Sequence, residues 1–417
     1  MAFRSLVFAA LAGVAALGGA APVQTGLDVL IEDHLDDLRG KRVAIACNHT
    51  ALTADGTHIV DALHGAGVEV AALFVPEHGY RGDEHTSGQT STDDVTGAPI
   101  YSLYDETRAP TDEELEGIDV MLFDIQDIGC RFYTYISTMG VVIEACASNE
   151  VSVFILDRPN PITGLHPEGA VASGDMLRGF TSFYPIPTRH ALTVGELAQM
   201  AVGEGWLQLP GGGVDLTVIE CRGWTRMMDG DSLDRAWVRT SPNMPGTATA
   251  ITYPGLGLLE GINLSEGRGT DIPFILAGAT WVSSEEWARA LRECDLPGVA
   301  FTPITYRPGD NGRFPSRAIE YLEQPANGVV VTVLDRTVFR PVRTGLAMLW
   351  TATELYPESV AFTNGLNSLS GDPAMRETME AVKAGTPPEG GWRAIADRWD
   401  AEAEAYWERA QAYLIYE

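Results

Sequence analysis

Residues 76–82 read PEHGYRG and follow directly on the apolar run VEVAALFV. The run has the composition of a buried strand, and it ends in a carboxylate, an imidazole and a guanidinium: Glu77, His78 and Arg81. Gly79 and Gly82 mark a turn at the same place. Strand ends of parallel sheets are where α/β proteins keep their chemistry. A carboxyl group held on such a scaffold suits general acid or base work. Two other strand ends carry similar groups. FDIQDIGCRFYTY supplies Asp124, Gln126, Asp127, Arg131, Tyr133 and Tyr135, and LDRPNP supplies Asp157, Arg158 and Asn160. If they converge, the crevice holds carboxylates, arginines and tyrosines. That set suits a neutral or anionic polyhydroxylated ligand, with Arg and Asn fixing hydroxyls, amides or a carboxylate. Asp124, Asp127 and Asp157 could equally cap helices or hold loops.

A second cluster is SPNMP (241–245) followed by YPGLGLLEGINLSEGRGTDIPF (253–274), with Asn243, Glu260, Asn263, Glu266 and Arg268. Its glycines and prolines predict defined turns beside a backbone that something approaches closely. GLGLLEG is not a dinucleotide loop, because the spacing is wrong and no strand leads into it. There is no G-x-S-x-G elbow and no Walker A loop. His78 and His85, even with Glu77 and Asp127, match no metal-ligand spacing, so no metal and no cofactor are expected. The five cysteines are scattered and form neither a C-x-x-C pair nor a disulfide pattern. Trp206, Trp224 and Trp281 could stack on sugar rings but are expected in the core.

These groups need elements to position them. Five apolar runs, RVAIAC (42–47), VEVAALFV (68–75), IDVMLFDI (118–125), VSVFILD (151–157) and VDLTVIE (214–220), are continuous rather than alternating. Strands covered on both faces read that way. Helical segments near 55–66, 134–149 and 195–205 separate them, so a parallel, doubly wound sheet is predicted. The stretch 76–117 reads as a long polar loop, of the kind that is often functional. After about residue 266 the pattern changes. WVSSEEWARALREC reads as an amphipathic helix, GVAFTPITY and GVVVTVLD as strands, and RTGLAMLWTATELY and the tail from 397 as helices. The expected division is 24–265 and 266–417, the second part a smaller α/β domain.

At 417 residues the chain suits two domains. Its net charge is -29, and Lys41 and Lys383 are its lysines. Such a surface repels phosphate backbones and anionic lipids, so nucleic-acid binding is not expected. Residues 1–21 have Arg4, a short apolar run and then GGAAP. The run is too short to span a bilayer and has the form of an export signal cleaved near Ala20 or Ala21. A periplasmic or extracellular location is therefore expected, with no stable membrane insertion after cleavage.

Taken in order, FVPEHGYRGDEHTSG, FDIQDIGCRFYTYISTM, LDRPNPITG, PTRHALTVGELA, YPGLGLLEGINLSEGRGTDIPF and VLDRTVFRPVRTGLAML, with a closing R-x-x-x-Y-L-I-Y, resemble the NamZ-type exo-β-N-acetylmuramidases of bacteria. That family was long known only as a domain of unknown function. The resemblance implies a Rossmann-like N-terminal domain, a smaller C-terminal α/β domain and an active cleft between them. It also implies release of N-acetylmuramic acid from the non-reducing end of peptidoglycan fragments such as MurNAc-GlcNAc. Glu77 is then the expected general acid, His78 positions it or the substrate, and Arg81 meets the lactyl carboxylate. The remaining polar strand-end and cluster residues are expected to bind substrate. Many members read A-G-E where this chain reads SGQ, so Gln89 stands in place of a glutamate. Glu84 in the same loop, or the substrate's N-acetyl group, could supply the second function. Ala191 stands where glycine is expected, which predicts a local backbone difference. The alternatives are a muramyl-glycan binding protein without catalysis and a metal-dependent wall esterase or amidase. For Glu77 and His78 the structural alternative is that they anchor the 76–95 loop. For Glu266 and Arg268 it is an ion-paired turn.

Overall fold

The computed structural model describes residues 22–77, 79–80, 91–104, 108–313, 315–316 and 319–417. The export-signal stretch and His78, Arg81, Glu84 and Gln89 lie outside these.

A short helix α1 (Gly26–Val29) leads into β1 (Arg42–Cys47), α2 (Ile59–Gly65) and β2 (Glu69–Val75). Then come β3 (Ser91–Thr92), β4 (Pro99–Ser102), β5 (Val120–Asp124), α3 (Tyr135–Ser148), β6 (Ser152–Leu156), α4 (Val194–Gly203) and β7 (Leu216–Ile219). These seven strands form one sheet in the order β3-β4-β2-β1-β5-β6-β7. All neighbours are parallel except the β3–β4 pair at the edge. The five expected strands are present within a residue or two of each end. Inside the expected loop 76–117, β4 pairs with β2 and extends the sheet. PIYS is short and half-buried, so it carries no continuous apolar signal.

The sheet is wound on both sides. Along β1, Ala44 and Ala46 join the core containing α3 and α4. Val43, Ile45 and Cys47 join the core containing α1 and α2. Each strand is therefore apolar on both faces, which is why its sequence runs on without alternation. The chain reverses its winding at β1, whose neighbours are β2 and β5. In doubly wound sheets the ligand crevice opens at that point, beyond the carboxyl ends of the strands.

The second unit is built on β8 (Leu276–Ala279), β9 (Val299–Tyr306) and β10 (Ala326–Val333), an antiparallel sheet in the order β8-β10-β9. Helices α5 (Thr247–Leu256), α6 (Ser284–Glu293), α7 (Pro341–Leu355), α8 (Leu366–Ser370), α9 (Met375–Lys383) and α10 (Gly391–Ala410) accompany it. α5 crosses α7 at backbone contact. A Cβ on Gly255 would meet the Pro341 carbonyl at 1.9 Å, and one on Gly345 the Gly255 carbonyl at 2.1 Å. The close approach read from the YPGLG glycines is thus, at Gly255, a helix–helix crossing. Pro254 lies inside α5, where the sequence had suggested a turn.

Ala191 keeps φ 60, a left-handed conformation that glycine adopts without cost. Its carbonyl accepts a 2.5 Å hydrogen bond from Arg226 Nη2, which holds the segment before α4. Among the described residues no helix is long and apolar enough to cross a membrane.

Candidate active site

The site is assembled at the carboxyl ends of β1, β2 and β5. After β1, Asn48 Oδ1 accepts hydrogen bonds from the Thr50 amide at 2.9 Å and the Thr50 hydroxyl at 2.6 Å. The Gln126 amide donates to Thr50 Oγ1 at 3.0 Å, so the ends of β1 and β5 are tied together. After β2, Pro76 and Gly79 close a turn, with the Gly79 amide 3.2 Å from the Pro76 carbonyl. Gly79 has φ 73, which a side chain would resist. The turn sets Glu77 half-buried at the mouth of the strand. After β5 the chain runs through Phe132, Tyr133 and Thr134 into α3. Thr134 stands at the N-cap of α3, and its hydroxyl donates to Glu77 Oε2 at 3.3 Å.

A cleft of about 130 Å³ opens beside Glu77. Its wall is formed by the strand-end residues Phe132–Tyr135, the connecting segment Ser241–Met244, and Tyr253, Arg268 and Phe274 from the second unit. Among these described wall residues Glu77 carries the negative charge and Arg268 the positive one. The floor is aromatic. Tyr253 packs on Phe274 at 4.6 Å, on Phe132 at 5.3 Å and on Tyr133 at 5.8 Å between ring centroids. Phe274 holds φ 57, an unusual conformation for a bulky side chain. Its amide donates to the Glu266 carbonyl at 2.7 Å, and its carbonyl accepts from Thr252 Oγ1 at 2.6 Å. Strained residues held this firmly cluster at functional sites. The segment carrying Asn243 is pinned as well. Tyr133 donates to Thr240 Oγ1 at 2.6 Å, Tyr135 to the Thr240 carbonyl at 2.5 Å and His49 Nε2 to the Arg239 carbonyl at 2.5 Å.

Arg268 is bracketed by two carboxylates. It pairs with Glu266 through Nη1, and its Nη2 lies 3.2 Å from Glu260 Oε1. Burial opposes its charge, yet Glu260 and Glu266 together lift its pKa above the ordinary guanidinium value. Glu260 is raised in turn, by burial first and then by the charges of Glu266 and Glu77, against the pull of Arg268. Burial raises the Tyr133 hydroxyl, and the Asp127 and Glu77 charges add to it. Tyr133 is therefore a neutral donor across the physiological range.

The structure thus gathers Glu77, Tyr133, Asn243 and Arg268 at one cleft, with Glu260 and Glu266 fixed behind Arg268. Five of the other expected substrate contacts turn inward. Asp124 is fully buried in an ion pair with Arg158, its Oδ2 2.9 Å from Nη2. Arg131 is 1% exposed and donates to the carbonyls of Thr181, Ser368 and Leu369 at 2.7–2.8 Å, which clamps the two units together. Asp157 accepts from the amides of Arg158 and Gly195 and from the hydroxyls of Thr193 and Tyr416. Asn160 bridges the Leu192 carbonyl and the Ile162 amide, and Asn263 the Ser359 carbonyl and the Ala361 amide. These polar atoms hold loops, and none of the five residues belongs to the cleft wall. Asp127 is intermediate. Its Oδ2 takes the Gly129 amide at 2.6 Å and faces His190 Nε2 at 3.3 Å, while its buried Oδ1 has no hydrogen-bond partner. The Leu192 amide donates to His190 Nδ1, so Nε2 carries the ring proton toward Asp127. Thr134, Tyr253, Phe274 and Asn48 were not singled out from the sequence. Thr134, at the start of the segment expected to be helical, had the only signal: threonine is a common helix-capping residue.

Fold and site together define a doubly wound α/β protein with a second unit closing an acid-bearing, aromatic-floored cleft over its switch point. Models of the exo-β-N-acetylmuramidase NamZ match residues 43–248 with their N-terminal part and 251–416 with their C-terminal part. The two matches meet at α5. The peptidoglycan β-N-acetylmuramidase NamZ of Bacillus subtilis (strain 168) is 37% identical over 399 residues, covering 94% of this chain and 91% of its own. Two DUF1343 family proteins of Bacteroides fragilis NCTC 9343 share the fold. One has a TM-score of 0.85 at 36% identity and the other 0.76 at 28%, each covering 95% of this chain and 99% of its own. The chain belongs to the NamZ exo-β-N-acetylmuramidase family.

Proposed function

We propose that this protein is an exported glycoside hydrolase that removes N-acetylmuramic acid from the non-reducing end of peptidoglycan fragments, with Glu77 as general acid. The observation that carries the reading is Glu77 itself, a half-buried carboxylate at the end of β2, facing an aromatic and amide-lined cleft. A pyranose presents one apolar face and a rim of hydroxyls, which the aromatic floor and the tyrosine and asparagine wall match. Arg268 offers its charge to the lactyl carboxylate, in addition to Arg81 or in its place. Family membership and the named Bacillus relative support the substrate class. The N-terminal apolar stretch supports export.

The direct test offers purified protein two fragments, one with MurNAc and one with GlcNAc at the non-reducing end. Free MurNAc from the first and no product from the second is expected. Internal cleavage of both would refute exo action, and binding without cleavage would favour the glycan-binding alternative. Export is tested by the N-terminus of the mature protein. Residue 21 or 22 should be first, and intact Met1 on cytosolic protein would contradict it.

A further inference from the structure

We propose that a second pocket, at the carboxyl ends of β1, β5 and β6, binds an α-amino carboxylate with a small apolar side chain, either a free amino acid or the last residue of a peptide. The pocket has a volume of about 150 Å³. Thr50 and Leu52 after β1, Gln126 after β5, Arg158 after β6 and the segment 233–238 contribute to its wall. Among the described residues it shares no wall residue with the Glu77 cleft. Two arginines meet there, and each has an unpaired nitrogen. Arg158, its side chain 5% exposed, pairs with Asp124 through Nε and Nη2. Its Nη1 has no hydrogen-bond partner among the described residues. Arg235 donates from Nη1 to Asp28 at 2.6 Å and from Nη2 to the Leu52 carbonyl at 2.8 Å, which leaves Nε without a partner among them.

Asp124 and Asp28 stand outside this wall and balance the two charges, so the pocket suits a ligand with a single negative charge. Guanidinium N–H groups hold a carboxylate by short, charge-assisted hydrogen bonds. Gln126 supplies an acceptor. Its Nε2 donates to the Asp127 carbonyl at 2.7 Å and the Pro159 carbonyl at 2.9 Å, and its Oε1 accepts nothing among the described residues. That oxygen takes an N–H from an ammonium or an amide alike, so a free amino acid and a peptide end share the chemistry. A phosphate dianion brings no donor for it and one charge too many. Leu233, Trp237 and Val238 give apolar surface for a side chain, and the Trp237 indole is fixed by its N–H on the Met244 carbonyl at 3.0 Å. A carboxylate, an N–H and a small apolar group on one carbon are what an α-amino acid carries. A sugar offers hydroxyls in place of the charge and gives the guanidinium nitrogens weaker partners.

The test is calorimetry on the purified protein with alanine and N-acetylalanine, each beside its amide, and with N-acetylglucosamine. It does not rest on the muramidase reading, since binding is read without cleavage. At least one of the two acids should bind, and the tighter one distinguishes a free amino acid from a peptide end. Conversion of that acid to its amide should weaken binding by on the order of tenfold or more, as expected for loss of a charge-assisted hydrogen bond. Arg235→Lys keeps a cation against Asp28 but loses the Nε donor, and it should weaken the acid by a similar factor and the amide far less. Ala236→Trp, at an exposed position of the wall, fills the pocket and should abolish binding; it decides the matter if Arg235→Lys does not fold. No binding of either acid, equal affinity for acid and amide, tighter binding of N-acetylglucosamine, or unaltered binding in the folded variant would each overturn the proposal. So would displacement of the acid by excess N-acetylmuramic acid, which would place it in the Glu77 cleft.

Discussion

Glu260, Arg268 and Glu266 show how single residues divide between holding and acting. Arg268 reaches the cleft only because Glu266, which is buried, and Glu260, which is partly exposed, hold its guanidinium there. Replacing one partner of such a group strands the others. Arg268→Met should therefore destabilise the protein by roughly 3–5 kcal/mol and lower kcat/KM as well, measurable as the urea midpoint and the rate on MurNAc-GlcNAc. Full activity with a lowered midpoint would make the triad purely structural. At this scale the sequence was legible for residue type but not for direction. Asp124 and Glu77 both follow apolar runs and look alike in the sequence. What separates them is Arg158, 34 residues downstream, which turns Asp124 inward. Asn160 and Asn263 were misleading for the same reason, since their partners are backbone groups that only the fold brings near.

At the scale of elements, the long helix α7 is where the two units lock. Its N-terminus is capped from the other unit, with the Arg343 amide donating to Glu168 Oε1 at 2.7 Å. Burial pushes Glu168 up to about 7, against the Arg343 amide and the Arg189 charge. The folded state thus holds a proton that the unfolded chain has released. Its contribution is complete below the unfolded pKa and is lost as pH rises through about 7, on the order of 3 kcal/mol. Denaturant midpoints at pH 5 and pH 8 should show this fall, and Glu168→Gln should flatten it. An unchanged slope in the variant would rule Glu168 out as its source. Where α7 meets α5 there is no room for a side chain. Gly345→Ala places a Cβ against the Gly255 carbonyl and should cost roughly 3 kcal/mol or more, read as a lower melting temperature. The parallel strands were legible because burial on both faces leaves an uninterrupted apolar run. β4 and α5 were not. β4 is a short, half-buried strand next to the edge, and α5 hides its helical pattern under threonines, a proline and a glycine needed for contact.

At the scale of the molecule, a net charge of -29 repels itself. Salt screens that repulsion over about 10 Å at 0.1 M, so the melting temperature should rise between low salt and about 0.5 M. A fall would show that surface ion pairs, rather than net repulsion, dominate. The chain's end closes the structure: Tyr416 returns to the first sheet, donates to Asp157 at 2.6 Å and accepts the Cys221 amide at 2.8 Å. The closing motif recognised in the sequence is thus a latch across the β6 and β7 ends, and it lies away from the cleft.

Whether Glu77 is the proton donor can be read from the leaving group. We would compare native enzyme and Glu77→Gln on MurNAc-GlcNAc and on an aryl β-N-acetylmuramide whose phenol leaves without protonation. General acid catalysis contributes roughly 10²–10⁴-fold. The variant should lose about that much on the disaccharide and far less on the aryl glycoside. Equal losses on the two substrates, or none, would contradict the role given to Glu77.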